Sequence, residues 1–245
     1  MDHQPELRGK NIRIGDNCRF GTNVVIHENV SIGNNCQIED GCVIGHPFEG
    51  SEKETVISDG SLIRSHTIIY TGAQLGKACT TGHHACIREN SIIGTGCSIG
   101  SYSDLQGDLT IGDYCRLHSD VHLCKGSKLD SFVFLYPRVT LTNDPYPPSM
   151  EVQGPHIKSY SQICTGTIVL PNITIGKNCL VGAASLVTRD IAEHSLAFGH
   201  PADVWDDVST LSKKGKPRYP WMYRYSKNMP WEGIGFDKWR KEQQE

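Results

Sequence analysis

A hydrophobic residue recurs at every sixth position along most of this 245-residue chain. The series has 27 positions and 26 of them are apolar, whereas a hydrophobic content of 38% would give about ten by chance. Its members are Ile14, Phe20, Ile26, Ile32, Ile38, Ile44, Ile57, Ile63, Ile69, Leu75, Thr81, Ile87, Ile93, Ile99, Leu105, Ile111, Leu117, Leu123, Leu129, Leu135, Leu141, Ile157, Ile163, Val169, Ile175, Val181 and Val187. Period six fits neither a 3.6-residue helix nor an amphipathic strand of period two. The series therefore predicts a solenoid of very short strands.

Two further regularities accompany these anchors. A small residue stands four places after most of them, two before the next, so it shares the inward face of the strand. Seven of the ten cysteines occupy this slot, which favours compact buried thiols over a disulfide or metal framework: Cys18, Cys36, Cys42, Cys79, Cys97, Cys115 and Cys179. Glycine directly follows eleven anchors, and we expect tight corners of positive φ there.

The repeat divides the chain into two parts. Residues 1–190 form the solenoid, with loop insertions near 46–56 and 142–156, and residues 191–245 form an extension that holds all four tryptophans. The second insertion is polar, proline-rich and aromatic, so we interpret it as a binding loop. The extension is predicted to pack its aromatic side chains against the outside of the solenoid. The alternative is a basic flap over a phosphate-bearing ligand.

Charge and hydropathy exclude some partners. The net charge of −3 gives no general attraction to nucleic acid or to an anionic membrane. No apolar run approaches the ~20 residues of a membrane-spanning helix. The chain does not open like a signal peptide, and we therefore expect a cytoplasmic protein.

The repeat resembles that of the hexapeptide-repeat proteins. The resemblance implies an all-β fold, a left-handed parallel β-helix of triangular section with about 18 residues per coil and about nine coils. Residues 18 apart then form columns. One column holds His66, His84, Tyr102, Asp120 and Arg138, and its neighbour holds Ile68, Cys86, Asp104, His122 and Thr140. Because residues two apart on a strand share a face, we expect one exposed polar patch in which Asp104 and His122 pair.

Two stretches are similar to bacterial nucleotide-sugar N-acyltransferases of this family. They are residues 117–123 and the segment Val139-Thr-Leu-Thr-Asn-Asp-Pro-Tyr-Pro-Pro148, while residues 181–204 resemble the coenzyme A end of acetyltransferases of this class. The resemblance implies acyl transfer from acyl-coenzyme A to the amino group of a nucleotide-linked sugar, for surface polysaccharide biosynthesis. It also implies a homotrimer with active sites between adjacent prisms. This chain carries Asp120 where the family usually has Asn or His.

The resemblance assigns roles to residues of this chain. The base is His122 or Asp120, unless the substrate supplies its own, and Asn143 assists catalysis by orienting the amine together with Asp144. The other residues expected to bind the substrate are His84, Tyr102, Asp104, Arg138 and Tyr146. The residues expected to bind coenzyme A are Thr165, Gly166, Ala183, Ala184 and Arg189. No metal is expected.

Several alternatives stay open at this stage. The γ-class carbonic anhydrases share this fold and bind zinc through three histidines, and His84, His118 and His122 have a loosely similar spacing. A non-catalytic β-helix that serves as an assembly subunit is another alternative. Within the acyltransferase interpretation, the acceptor could be a hydroxyl group and the acyl group could be larger than acetyl.

Overall fold

A computed structural model describes residues 3–49 and 52–243, so Gly50, within the first insertion, lies outside the described residues. Very short strands follow one another along the solenoid. They are β1 (Glu6–Arg8), β2 (Ile12–Ile14), β3 (Arg19–Phe20), β4 (Val25–His27), β5 (Val30–Ile32), β6 (Gln37–Ile38), β7 (Val43–His46), β8 (Thr55–Ile57), β9 (Leu62–Ile63), β10 (Ile68–Tyr70), β11 (Gln74–Leu75), β12 (Thr80–Thr81), β13 (Cys86–Ile87), β14 (Ile92–Ile93), β15 (Ser98–Ile99), β16 (Asp104–Leu105), β17 (Thr110–Ile111), β18 (Arg116–Leu117), β19 (His122–Leu123), β20 (Lys128–Leu129), β21 (Phe134–Leu135), β22 (Thr140–Leu141), β23 (His156–Ile157), β24 (Gln162–Ile163), β25 (Ile168–Val169), β26 (Thr174–Ile175), β27 (Leu180–Val181) and β28 (Leu186–Val187).

Every third strand joins the same sheet. Sheet A begins β1-β4-β7 and ends at β28, sheet B begins β2-β5-β8 and ends at β26, and sheet C begins β3-β6-β9. Within the described ranges these sheets hold ten, nine and eleven strands, so strands extend the prism beyond about nine predicted coils. At the N-terminal end Leu7 pairs with Ile26. The six-residue series, continued backwards from Ile14, would fall on Arg8 instead of Leu7, and for this reason it does not include β1. The predicted fold, a left-handed parallel β-helix, is confirmed.

The anchors and the small residues fill the interior of the prism. From Ile26 to Val187 every anchor is buried, Thr81 included, and so are the small partners such as Ala85 and Ser103. Six of the seven cysteines predicted in the inward slot are buried in this core, and Cys18 is partly exposed in the first coil. Burial raises the pKa of the Cys42 thiol to about 11, as expected for a thiol that serves as a small hydrophobe.

The expectation of positive φ at the eleven glycines that follow anchors is wrong at ten of them. Only Gly45 among them has a positive φ, of 73°. The others are required by close approach of the next coil. A Cβ atom built on Gly76 would lie 2.7 Å from the backbone carbon of Gly94 and 2.7 Å from the backbone nitrogen of Thr95.

Positive φ falls instead at the corners, three residues before every anchor except Ile57 and Ile157, the first anchors after the two insertions. Asparagine holds this position in the first coils, at Asn11, Asn17 and Asn23, with φ of 55–56°. Asparagine tolerates the left-handed conformation better than most residues, because its short polar side chain bonds locally. The side chains also bond between coils, since Asn11 Nδ2 donates to Asn29 Oδ1 at 3.0 Å.

The chain beyond the prism begins with a hairpin that closes sheet C. Strand β29 (Ser195–Gly199) pairs in parallel with β27, and β30 (Ala202–Asp207) folds back antiparallel on β29. The remaining elements are β31 (Ser212–Lys213), β32 (Lys216–Pro217), two short 3-10 helices (Val208–Thr210 and Trp221–Tyr223) and α1 (Phe236–Glu242). In the described part of the chain we find no helix with the length and hydropathy needed to cross a bilayer.

The predicted packing of the aromatic extension is confirmed. Trp221 and Trp231 are buried against Phe132 and Phe134, which project from the outside of the prism. The indole N–H of Trp221 donates to the backbone oxygen of Tyr160 at 2.7 Å. The extension therefore covers the outer surface of sheet C over its later coils.

Candidate active site

One edge of the prism carries most of the candidate residues. We call it the C–A corner, because each of its residues lies between a strand of sheet C and the next strand of sheet A. From the N-terminal end it comprises Gly41, His66, His84, Tyr102, Asp120, Arg138, Gly166 and Ala184, all with φ between 55° and 71°. Their backbone N–H groups bond to the preceding coil, as Tyr102 does to His83 at 3.0 Å and Asp120 to Ser101 at 2.8 Å. The column is therefore a rigid edge.

The expectation that both polar columns lie on one strand face is wrong. The column of His84 and Tyr102 lies at the corner, whereas Asp104 and His122 begin strands of sheet A. The reason is the left-handed turn that the chain makes just before each strand of sheet A. The two columns therefore adjoin around this edge instead of sharing one strand face.

Asp104 and His122 form the predicted pair. They occupy the same register position on β16 and β19, and Asp104 Oδ2 lies 3.4 Å from His122 Nδ1. Hydrogen bonding to His122 lowers the pKa of Asp104, and a second donor, Gln106, acts in the same direction. The side chain of His122 is 41% exposed. A carboxylate that holds Nδ1 leaves Nε2 as the basic atom of the ring.

The corner residues pair among themselves. The rings of His66, His84 and Tyr102 stack in parallel, with centroids 4.9 and 5.1 Å apart. Further along, Asp120 Oδ2 lies 3.4 Å from Arg138 Nε in an exposed ion pair. Asp120 therefore has a cationic partner, and the carboxylate placed against His122 is that of Asp104.

The second insertion begins where β22 ends, so it leaves the prism on the side of sheet A opposite the C–A corner. Asn143 follows β22 and its amide donates to the backbone oxygen of Lys125 at 3.0 Å, at the corner between sheets A and B. Asp144 accepts hydrogen bonds from both the amide and the hydroxyl of Ser149, at 2.7 Å each, and from the amide of Tyr146. The bonds from Ser149 lower the pKa of Asp144. The structure thus uses Asn143 and Asp144 to hold the loop, and it leaves Tyr146 77% exposed.

The residues expected beside coenzyme A continue the C–A corner. Gly166 and Ala184 take the positions that His84 and Tyr102 hold in earlier coils, and the amide of Ala184 donates to the backbone oxygen of Thr165 at 2.9 Å. Ala183 precedes Ala184 in the same turn, and the space around a Cβ on Gly166 is open. The corner thus carries nothing larger than a methyl group at Gly166 and Ala184, and we call this stretch of the edge the shallow track. Arg189 forms an exposed ion pair with Asp203.

Sequence reasoning missed a second set of polar residues on sheet A. Gln106 donates through Nε2 to Asp104 Oδ2, and Arg88 Nη1 donates to Gln106 Oε1 at 3.3 Å. Arg88 in turn pairs with the buried side chain of Glu89. Tyr70, Arg88 and Gln106 are 18 residues apart in succession, each directly after an anchor, so the same column analysis could have found them.

The three histidines of the zinc alternative have separate partners. His84 stacks between His66 and Tyr102, His118 stacks on Tyr136 at 5.1 Å, and His122 pairs with Asp104. Over residues 3–49 and 52–243, no three His, Cys, Asp or Glu side chains converge as a metal site would require. An imidazole held by a carboxylate, as His122 is by Asp104, is suited to acid–base chemistry.

Comparison with known proteins agrees with this fold. The family model for the bacterial transferase hexapeptide (six repeats) matches residues 11–46, and that for the hexapeptide repeat of succinyl-transferase matches residues 172–188. A galactoside O-acetyltransferase of Lactococcus lactis is 38% identical over 80 residues, which cover 29% of this chain and 39% of that protein. This chain thus spans about two fifths of that relative.

A solved structure extends the likeness over most of the prism. An Arabidopsis UDP-N-acetylglucosamine acyltransferase aligns with 84% of this chain and 74% of its own, with a TM-score of 0.51 and 15% sequence identity. At that identity the likeness concerns the fold alone. The two repeat models match near the two ends of the prism, and the same six-residue period runs through the coils between them, so the chain is similar to the hexapeptide-repeat proteins of left-handed β-helix fold.

Proposed function

We propose that this protein transfers an acyl group from acyl-coenzyme A to the amino group of a nucleotide-linked sugar, with His122 as general base. The observation that carries the proposal is the Asp104–His122 pair on an accessible strand of sheet A. It lies beside the C–A corner, which carries no side chain at Gly166 and only a methyl group at Ala184. The acetyltransferase activity named for the Lactococcus lactis relative supports the same class of reaction.

The chemistry follows from the pair. His122 Nε2 takes a proton from the attacking amine, whose lone pair forms the new C–N bond to the thioester carbonyl carbon. The C–S bond then breaks and coenzyme A leaves as the thiolate, which is protonated by the histidinium. Asp104 stabilises the histidinium that forms in between. An Nδ1–Oδ2 distance of 3.4 Å is longer than a strong hydrogen bond, and such contacts commonly tighten when substrate binds.

The shallow track suits the donor. Pantetheine is a thin flexible chain, and the edge formed by Thr165, Gly166, Ala183 and Ala184 can lie against it without a side chain in the way. We propose that Tyr102 and Arg138, on the same edge, bind the acceptor. We propose a cytoplasmic enzyme, because acyl-coenzyme A and nucleotide-linked sugars are both made there.

The reaction can be tested on purified protein. Incubation with acetyl-coenzyme A and a panel of nucleotide-linked amino sugars should give a product heavier by one acetyl group, with coenzyme A released in equal amount. Mass spectrometry identifies the product, and the matching sugars that carry hydroxyl in place of amine distinguish O-transfer. The proposal would be contradicted if the protein does not bind coenzyme A and acylates none of the acceptors.

We also propose a homotrimer. The Asp104–His122 pair and the C–A corner lie on a convex, open edge, with too few surrounding groups to enclose a substrate, so a second copy of the chain would supply the opposite wall. Light scattering at micromolar concentration should give three times the chain mass of 27.1 kDa. A stable monomer under these conditions would rule out a shared site.

A further inference from the structure

Five side chains, on strands of sheet A or directly after them, form one continuous chain of polar contacts that ends at His122. Glu89 accepts from Arg88, at 3.0 Å to Nε and 3.3 Å to Nη2. Arg88 Nη1 donates to Gln106 Oε1, Gln106 Nε2 donates to Asp104 Oδ2, and the same oxygen faces His122 Nδ1. We propose that Gln106 and Arg88 are positioning residues, which set the tautomer of the His122 ring through this chain. The inference rests on the proposed role of His122.

The chain of contacts has a single polarity. A guanidinium group only donates hydrogen bonds and an ionised carboxylate only accepts them. Arg88 therefore requires the oxygen of the Gln106 amide on its side, which turns the NH₂ group towards Asp104. Asp104, bonded in this way, stays an acceptor for His122, so the proton of the neutral ring belongs on Nδ1 and the lone pair on Nε2.

Arg88 is itself held from several sides. Its guanidinium lies over the rings of Phe48 and Tyr70, at 5.6 and 5.8 Å from their centroids, and its anionic partner Glu89 is only 3% exposed. Cation–π contacts and a two-point ion pair both restrict the orientation of a guanidinium group. Phe48 belongs to the first insertion. In this proposal that loop therefore acts on His122 only indirectly, through Arg88, Gln106 and Asp104.

The state of Asp104 agrees with this arrangement. The hydrogen bonds from His122 and Gln106 lower its pKa, which favours the ionised carboxylate that accepts both bonds. Thr140 holds the same register position as His122 on the following strand. Asp120 and Arg138 compensate each other in their ion pair at the corner, and Asp104 is the carboxylate that faces the His122 ring.

The test reads the tautomer directly. Gln106→Met keeps the length of the side chain and removes both hydrogen bonds, while Arg88 keeps its partner Glu89. Long-range ¹H–¹⁵N NMR on histidine-labelled protein, with the His122 signals assigned from His122→Ala, should show the Nδ1–H tautomer in the natural protein and a mixture in Gln106→Met. The matched control is Gln74→Met, on sheet B, which should leave these signals unchanged.

Kinetics provide the second reading. In Gln106→Met we expect kcat to fall about tenfold, with KM for acyl-coenzyme A unchanged, because only the orientation of the base is affected. Arg88→Lys, which keeps a positive charge next to Glu89, should change the tautomer and kcat in the same direction by a smaller factor. This second variant leaves Gln106, Asp104 and His122 in place, and it carries the test if Gln106→Met does not fold.

The outcomes separate the two proposals. An Nε2–H tautomer in the natural protein, or an unchanged tautomer in both variants, would overturn the positioning role. A changed tautomer with unchanged kcat would support the positioning role and contradict His122 as the base. The NMR measurement needs no substrate, so it remains decisive even if the protein acylates none of the acceptors.

Discussion

His122→Ala is expected to lower kcat by about 10²–10⁴-fold, the usual contribution of a positioned general base. KM for acyl-coenzyme A should change little, because the ring lies on sheet A and the proposed donor track follows the C–A corner. Steady-state kinetics with the acceptor found by mass spectrometry measure both values. The loss should appear in kcat because proton removal contributes only to the transition state.

The pH dependence follows from the same pair. A general base accepts a proton only in its unprotonated form, so the rate should rise with pH on the acid limb of the profile. The pKa of Asp104 is lowered by hydrogen bonding, so this carboxyl stays ionised through the acid limb and should add no second step there. Asp104→Asn should reduce kcat without abolishing binding of the donor.

Two aspartate variants decide whether the base is assigned correctly. Asp120→Asn restores a residue usual in the resembling family, and it should retain more activity than Asp120→Ala. If His122→Ala keeps near-normal turnover while Asp120→Ala is inactive, the base is Asp120 or the substrate itself. That result would overturn the role of His122, and the acyltransferase proposal would survive it.

Gly76→Ala is expected to destabilise the prism by about 3 kcal/mol or more, through overpacking against the next coil. A methyl group there would lie 2.7 Å from backbone atoms of Gly94 and Thr95, and a backbone ladder cannot move aside as a flexible side chain can. The shift in the urea midpoint, followed by circular dichroism, measures the loss.

The matched control is Gly60→Ala. Gly60 has a φ of 71° with no atom within 4 Å of an added Cβ, and the residue one coil later in its column, Ala78, is an alanine with a φ of 54°. The left-handed conformation should therefore cost only about 1–2 kcal/mol. Equal destabilisation by the two changes would contradict the contact between coils as the reason for glycine after the anchors.

Much of the candidate site follows from the period once the coil length is known. Eighteen-residue columns bring Asp104 next to His122, and the structure places them at one register position. The columns could not indicate that Asn143 and Asp144 are engaged in holding their own loop. Those bonds depend on the path of an insertion that has no period, so no repeat in the sequence encodes them.

The sequence by itself determined the fold and the inward face of nearly every strand, because a six-residue period with small residues between the anchors allows only a narrow stacked coil. It did not determine which glycines turn the chain, since both corner and contact glycines recur with the same period. Only the tertiary structure decided that Asp120 pairs with Arg138 and that Arg88 and Gln106 stand behind Asp104. Such contacts are made between neighbouring coils and around the corner of the prism, and side-chain direction there is set by the left-handed turns rather than by spacing along a strand.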